Sequence, residues 1–267
     1  MISIFTTMTN PNERNDPWEE SLECYNDFAD EVVIVGKEWP QDFSWDYIGK
    51  TFQKGFDKSK GDWVVWMDLD NMIHQDDFQY ITKLLYKNMD QPAVAFPMHQ
   101  IFTPDRYCMK TIKCLALNKK KFPLIKLNGG GDLCLPTINN KLINVKDITI
   151  SKKPIWNYDT VFRTREIIEA DRLRFAKAWF TYFGDWGDRG GPSEQEAFDA
   201  WYKMVSDRYK KHYFRLKIDD HPRYIKDKIA NLTPEQFGYD GFGLKSATKV
   251  SFKHKLVAIK NRLYYTI

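Results

Sequence analysis

The sequence lacks the features that mark membrane-spanning, conventionally secreted and zinc-binding proteins. No apolar run in its 267 residues approaches the roughly 20 residues that cross a bilayer, and the mean hydropathy is −0.55. The N-terminal segment has no basic stretch followed by an apolar one, so no secretory signal is visible. The four cysteines form no CxxC pair and no zinc-ribbon spacing, which predicts reduced thiols in a cytosolic protein.

Several motifs of nucleotide, metal and acyl-group chemistry are also missing. No GxGxxG follows the first apolar run, and the GGGD segment at 129–132 lacks the Lys-Ser/Thr of a P-loop. Neither GxSxG nor HExxH occurs. The acidic stretch around Asp70 is not an EF-hand, because Ile73 replaces the required glycine and Gln79 replaces the bidentate glutamate.

The sequence does contain a globular composition with an uneven distribution of charge. Hydrophobic residues make up 43% and charged residues 28%, which excludes a disordered chain. The net charge of +4 is too small to indicate nucleic-acid binding by itself. Seven Lys and Arg and no acid occupy 106–131, and no acid follows Asp240. These basic segments predict an anionic ligand or an anionic membrane surface.

Short apolar runs alternate with amphipathic segments over the first 100 residues. The predicted strands lie at 2–7, 31–36, 62–70 and 92–99. The predicted helices lie at 17–29, 45–61, 76–89, 163–181 and 193–211. Alternation in units of about 30 residues predicts an α/β fold whose parallel sheet is covered by helices on both faces.

The third predicted strand ends in the acidic sequence Asp68-Leu69-Asp70. Residues two apart in a strand point to the same side, so the two carboxylates share one face. Ligands of parallel α/β sheets bind beyond the carboxyl ends of the strands. Two carboxylates there suit Mg²⁺ or Mn²⁺ bound together with substrate phosphates. The alternative is a pair of solvated loop acids.

Together these segments resemble the family 2 glycosyltransferases of the GT-A fold, in the branch that makes polysaccharides and glycolipids in bacteria and their viruses. The resemblance covers residues 1–165 and depends mainly on ISIFTT, FADEVVIVG and FQKGFDKSKGDWVVWMDLDNMIHQDD, in that order. PAVAFPMHQIF, GGGDLCLP and PIWNYDTVFRTREIIEADRLRFAKAWF follow the order of a subgroup more faintly. The resemblance implies a Rossmann-type, mostly parallel sheet flanked by helices. Residues 1–165 would form the nucleotide-sugar-binding and catalytic core, and 166–267 a helical extension of the same compact unit.

The resemblance also implies roles for individual residues. Asp68 and Asp70 match the family's D-x-D pair, which implies contact with the ribose and with the metal-bridged diphosphate of a nucleotide sugar. Thr6 and Thr7 end the first strand, where the family's chain surrounds the nucleobase. Gly36 stands where many members have an aspartate that reads the base.

Two positions depart from the pattern of the subgroup. Asn71 stands where relatives often have glutamate, and Asn157 stands where they often have histidine. The resemblance therefore predicts Asp68, Asp70 and Asn157 as metal ligands, with fewer charged groups around the metal. That departure implies a different sugar, a weaker metal requirement or a partly degraded activity.

Inverting glycosyl transfer needs a carboxylate that deprotonates the acceptor hydroxyl. Asp132 is the predicted base, because it matches the family's GD turn and follows three glycines that let the backbone approach a ligand closely. An ordinary turn aspartate is the alternative interpretation. The Gly-rich loop at 183–196 offers Asp185, Asp188 and Glu194 instead, in a segment that suits a mobile lid.

The expected function is metal-dependent, inverting transfer of a sugar from a nucleoside diphosphate sugar to a glycan or lipid-linked acceptor, with Mn²⁺ or Mg²⁺ as cofactor. A nucleotidyltransferase and a non-catalytic glycan-binding module on the same fold are the alternatives, and no nucleic-acid partner is expected. The expected location is cytoplasmic, with peripheral binding at the inner face of a membrane. The basic, amphipathic tail at 245–267 would provide that contact, unless it is a terminal helix packed on the domain.

Overall fold

The computed structural model describes residues 1–128, 134–249 and 251–266, and these ranges form one large mixed sheet flanked by helices. The strands of this sheet are β1 (Ile2–Thr7), β2 (Glu31–Val35), β3 (Trp63–Trp66), β4 (Asn71–Met72), β5 (Ala93–Thr103), β6 (Arg106–Asn118), β10 (Thr149–Ile150), β11 (Ile155–Asn157) and β12 (Phe214–Arg215). A second, small sheet contains β7 (Lys126–Asn128), β8 (Leu135–Ile138) and β9 (Lys141–Leu142). The order of the main sheet is β2-β1-β3-β6-β5-β11-β4, with β10 paired to β5 and β12 paired to β6.

Helices connect the strands and form most of the C-terminal part. They are α1 (Trp18–Phe28), α2 (Trp45–Lys58), α3 (Phe78–Lys87), α4 (Arg165–Phe183), α5 (Glu194–Tyr209), α6 (Lys226–Ala230), α7 (Phe237–Asp240), α8 (Leu244–Ala247) and α9 (Phe252–Thr266). Within the described ranges, none of them combines the length and the hydropathy needed to cross a bilayer.

The N-terminal part of the main sheet is parallel. Phe5 of β1 aligns with Val33 of β2 on one side and with Trp66 of β3 on the other. Every residue of β3 is buried, as expected for a parallel strand covered on both faces. The helix α2 packs so closely on β1 that a Cβ added at Gly55 would lie 2.3 Å from the Phe5 ring. The predicted α/β fold with helices flanking parallel strands is confirmed.

The strand β6 is the main feature of the sheet that the sequence pattern does not predict. It runs antiparallel to both neighbours, with Asn118 opposite Trp63 of β3 and Leu117 opposite Ala93 of β5. Three basic side chains interrupt its apolar residues, which hides the pattern of a buried strand. A strand that carries lysines therefore lies in the middle of the sheet.

Buried apolar side chains form a large cluster and a smaller one. The large cluster includes Ala178 of α4 and Ile225 before α6, so residues beyond 165 share the core of the sheet. The smaller cluster joins β5 to the C-terminal helices through Phe102, Ile168, Phe198, Trp201, Val205, Tyr209, Phe237 and Leu244. The division of the chain at residue 165 stays a prediction.

Candidate functional site

The loop after β3 carries the acidic pair on a backbone that neighbouring elements hold in place. The Tyr25 hydroxyl of α1 lies 2.5 Å from the carbonyl oxygen of Asp68 and 2.8 Å from that of Asn71. The backbone N–H of Tyr158, next to β11, donates to the carbonyl oxygen of Asp70 at 2.7 Å. Both carboxylates therefore start from a fixed backbone.

The two carboxylates face a cavity of about 230 Å³ that Thr7 at the end of β1 also lines. Its acidic side chains are Asp16, Asp68, Asp70 and Asp159. Its basic side chains are Arg14, Lys113, Arg163, Arg172, Arg174 and Arg189. Its aromatic side chains are Trp39, Trp45, Phe52, Trp66 and Phe175. These six bases face the four acids and the adjoining Asp171, which pairs with Arg14 and Arg163, so a formal surplus of one positive charge favours an anionic ligand.

Asp70 is a partly buried carboxylate in this cavity. Its Oδ1 is closed to solvent and makes no hydrogen bond. Burial, reinforced by the negative charges of Asp159 and Asp68, raises the pKa of Asp70 to about 7. A buried carboxylate oxygen without a hydrogen bond is costly in the charged form of the group, so a cation bound to Oδ1 would stabilise it.

Asn157 brings a second unpartnered oxygen into the same cavity. Its Nδ2 donates to Oδ1 of Asn71 at 3.0 Å, whereas its own Oδ1 makes no hydrogen bond. Among the residues that the structure describes, no three His, Cys, Asp or Glu side chains come together as a metal cluster. The oxygens of Asp70 and Asn157 nevertheless fit a hard divalent cation, because such ions are often bound by one or two protein oxygens together with substrate phosphates and water.

At one side of the cavity, two arginines form ion pairs with two aspartates. Arg163 donates from Nη2 to Asp16 Oδ1 at 2.6 Å and from Nη1 to Asp171 Oδ2 at 3.2 Å. Arg14 donates to the other oxygens of the same two carboxylates, at 3.0 and 2.7 Å. Burial opposes the ionisation of Asp171, yet these guanidinium groups hold its pKa down at about 2. We call Arg14, Asp16, Arg163 and Asp171 the closed cluster.

Other groups around the cavity keep hydrogen-bonding capacity that the chain does not use. The Nε atoms of Arg172 and Arg189 and the indole nitrogens of Trp39 and Trp45 are buried and make no hydrogen bond, although Arg172 Nη2 lies 3.3 Å from Asp171 Oδ2 and Arg189 Nε lies 3.5 Å from Asp188 Oδ1. Packing orients Arg189, whose guanidinium carbon lies 4.9 Å from the centroid of the Trp179 ring. We call Trp39, Trp45, Asp70, Asn157, Arg172 and Arg189 the open cluster.

The structure brings together four of the predicted site residues, because Thr7, Asp68, Asp70 and Asn157 all line this cavity. It leaves two outside the lining. Thr6 is buried one residue earlier in β1, and its hydroxyl makes no hydrogen bond. Gly36 has a φ of +69°, and a Cβ there would lie 3.1 Å from Thr51 Cγ2 and 3.2 Å from the Trp39 ring. An aspartate at Gly36 would be strained, and its close neighbour Trp39 lines the cavity instead.

The predicted base, Asp132, lies outside the described residues. Of the alternative acids in the loop at 183–196, Asp188 is exposed and lies 3.5 Å from Arg189, and Glu194 begins α5. None of the three alternative acids, all within the described part of the chain, lines the cavity. The residue of this loop that does line it is basic, Arg189.

Sequence reasoning missed most of the basic and aromatic lining. Arg172 and Arg174 lie on α4, and Trp39 and Trp45 flank the turn between β2 and α2. The available signal was the cluster of arginines in 163–174, within the segment that carries the fainter part of the family resemblance. That signal does not tell which of these arginines point towards the acidic pair.

A second cavity, of about 560 Å³, adjoins the first and shares Trp66 and Lys113 with it. Most of its wall is apolar, and three of the four cysteines, all of them buried, contribute to it. The buried side-chain amide of Gln100 lines this cavity, and neither its oxygen nor its nitrogen makes a hydrogen bond. Arg208 and Lys211 add positive charge. This lining suits a ligand that combines hydroxyl groups with an apolar portion and negative charge.

Comparisons with known proteins do not assign the chain to a family. No family model and no curated protein matches it. Two crystal structures of S. aureus TarS 1-349, the second in complex with UDP-GlcNAc, match with TM-scores of 0.35 and 0.37 at 10% sequence identity, over 99% of this chain and 90% of that chain. A further S. aureus TarS structure matches with a TM-score of 0.34 at 10% identity, over 99% of this chain and 54% of that chain. Likeness of this degree assigns neither a family nor an activity.

Proposed function

We propose that the chain is a glycosyltransferase that takes a sugar from a nucleoside diphosphate sugar. One observation carries this proposal. The cavity at the ends of β1 and β3 combines unpartnered oxygens suited to a divalent cation with unpartnered N–H donors suited to a diphosphate. Aromatic rings form the rest of its wall, against which a base and a ribose can pack. A nucleotide-sugar site needs these three parts together.

Asp70 and Asn157 would hold Mn²⁺ or Mg²⁺ through their unpartnered oxygens, with Asp68 next to them. The bound cation would supply positive charge to the diphosphate as it leaves. Arg172 and Arg189 would donate their unused Nε–H groups to the phosphate oxygens. Donors that are already fixed in position stabilise the developing negative charge without having to reorganise during the reaction.

The second cavity would bind the acceptor, which we propose to be a glycan or a lipid-linked glycan. Trp66 and Lys113 line both cavities, so an acceptor bound there would lie next to the donor sugar. The amide of Gln100 offers one donor and one acceptor to sugar hydroxyls. In an inverting reaction the acceptor hydroxyl attacks the sugar from the side opposite the diphosphate, and Asp132 stays our predicted base for its proton.

A panel of nucleotide sugars, assayed for hydrolysis and transfer with and without Mn²⁺, tests this proposal. The wild-type chain should release a nucleoside diphosphate from one or a few donors, and only with the metal. Asp70→Asn should lower that rate on the order of 10²-fold or more, because the metal and the diphosphate lose their charged partner. Asp76→Asn removes an exposed carboxylate six residues away and serves as the matched control.

The same assay separates the alternatives. Release of pyrophosphate from a nucleoside triphosphate and a sugar phosphate would identify a nucleotidyltransferase. Glycan binding without turnover of any donor would identify a non-catalytic module. Wild-type turnover and unchanged metal dependence in Asp70→Asn would show that this cavity is not the donor site.

A further inference from the structure

The C-terminal helix α9 presents a stripe of apolar side chains to solvent. Phe252 is 73% exposed, Leu256 51%, Ile259 37% and Leu263 57%. Their spacing follows the turn of an α-helix, and at about 100° per residue the four lie within an arc of about 60°. Single exposed apolar residues are common on protein surfaces, but a continuous stripe on one helix face indicates a surface that another phase or molecule covers.

Basic side chains border the stripe on both sides. Lys253 and Lys260 lie along one edge on the helical wheel, and Lys255 and Arg262 lie along the other. All four are exposed. No acidic residue follows Asp240 in the sequence, so no carboxylate on this helix offsets these charges.

One flank of α9 packs on the body of the protein, which fixes the direction of the stripe. Ala258 is buried, and α9 contacts β6. The Lys255 ammonium lies 5.4 Å from the centroid of the Tyr213 ring, and the Arg262 guanidinium lies 5.1 Å from that of Phe214. The helix is therefore held against the protein along one side, while its apolar stripe faces outwards.

We propose that α9 binds the surface of an anionic membrane, with its axis in the plane of the interface. The apolar stripe would enter the boundary between headgroups and acyl chains, and the lysines at its edges would reach the anionic headgroups through their long aliphatic stems. Charge complementarity favours this occupant, because an apolar stripe with bases on both edges and no acids matches a negatively charged surface. The inference does not depend on the proposed catalytic activity.

Co-sedimentation of the full chain with vesicles tests the inference. Vesicles of phosphatidylcholine with one quarter phosphatidylglycerol should carry the protein down at 50 mM salt, and pure phosphatidylcholine should carry far less. Leu256→Glu combined with Ile259→Glu should weaken binding at least tenfold. Lys253→Gln combined with Lys260→Gln should weaken it about 25-fold, because each base near an anionic surface contributes about fivefold. Leu124→Glu, at an exposed leucine outside α9, is the control and should bind as the wild type does.

The binding and unfolding results test the membrane proposal without an assay of enzymatic activity. Unfolding curves in urea should coincide for all variants, because the substituted side chains are exposed. Failure of the wild type to bind anionic vesicles at low salt, or equal binding by the stripe variant, would overturn the proposal. A wild-type dimer that the stripe variant converts to a monomer would overturn it as well, since the stripe would then be covered by a second copy.

Discussion

Two groups of polar side chains lie side by side at the first cavity and differ in how their hydrogen bonds are satisfied. In the closed cluster, Arg14 and Arg163 use five hydrogen bonds of 2.6 to 3.2 Å to hold both oxygens of Asp16 and of Asp171. In the open cluster, Asp70 and Asn157 each keep an oxygen without a hydrogen bond. Each group includes a buried polar side chain, Arg163 in the closed cluster and Asn157 in the open one, so burial alone does not explain the difference.

The difference distinguishes residues that hold the fold together from residues that could bind a ligand. A buried ion pair whose members satisfy one another can hold elements together but offers nothing to a ligand. Buried polar atoms without partners destabilise the fold, and in a cavity lined by charge they indicate a group that is still to be bound. We therefore expect substitutions in the closed cluster to change stability and substitutions in the open cluster to change binding.

The largest effect should come from breaking the closed cluster. Arg163→Met leaves two buried carboxylates short of a partner and should lower the free energy of unfolding by about 3–5 kcal/mol. Urea denaturation followed by tryptophan fluorescence measures this change. Arg165→Met removes an arginine that is half exposed and paired with Glu169, and should change stability by less than about 1 kcal/mol. Equal effects of the two substitutions would contradict the structural role of the closed cluster.

His212 tests whether a missing partner is by itself enough to mark a site. Both of its ring nitrogens lack hydrogen bonds, but it stacks on Phe102 in the smaller apolar cluster, away from either cavity. Burial, helped by Arg106 and Arg208, lowers its pKa to about 3. An unfolded histidine titrates near 6.5, so protons favour the unfolded chain and stability falls as the pH drops below that value.

From pH 7 to pH 4.5, His212 should account for a loss of roughly 2.5 kcal/mol in the free energy of unfolding. His99, whose pKa burial also lowers to about 3, should contribute a similar loss. His212→Phe should remove the first of these contributions and flatten the dependence of stability on pH, while donor turnover stays at the wild-type level. A pH dependence identical to that of the wild type would show that His212 is not buried in its neutral form.

The smallest effect in this series should come from Arg189, a member of the open cluster. Arg189→Ala should weaken the binding of a nucleoside diphosphate with Mn²⁺ about tenfold, or roughly 1.4 kcal/mol, because one donor to the phosphates is lost. Stability should stay within about 0.5 kcal/mol. Titration calorimetry measures the affinity, with Arg165→Ala as the control. An effect on stability but none on affinity would place Arg189 with the closed cluster.

The acidic pair could be predicted from sequence because its chemistry is local. An apolar strand followed by two carboxylates is enough to place Asp68 and Asp70 at the ligand edge of a parallel sheet, although β3 ends at Trp66 and the pair lies in the loop after it rather than in the strand as predicted. The alternation of apolar and amphipathic segments predicts the parallel sheet, but not the order β2-β1-β3 of its strands. Thr7, which ends β1, is predicted from the family resemblance.

The rest of the site depends on packing between distant segments. Arg172 and Arg174 reach the cavity because α4 packs against α2, a contact that no local pattern encodes. The cavity wall formed by Trp39 depends on the positive φ of Gly36, and a glycine in a sequence does not reveal its backbone angles. The second cavity requires β6 in the middle of the sheet, and the basic side chains of that strand conceal it.

Because atoms of the open cluster lack hydrogen-bond partners, thermal unfolding can detect a ligand that supplies them. A molecule that satisfies these atoms binds the folded chain and not the unfolded one, so it raises the melting temperature. At a ligand concentration one hundred times the Kd, the stabilisation is about 2.7 kcal/mol. That corresponds to a shift of roughly 5–10 °C for a chain of this size. Melting curves recorded across a set of nucleotide sugars would thus identify the base and the sugar of the donor before any acceptor is known.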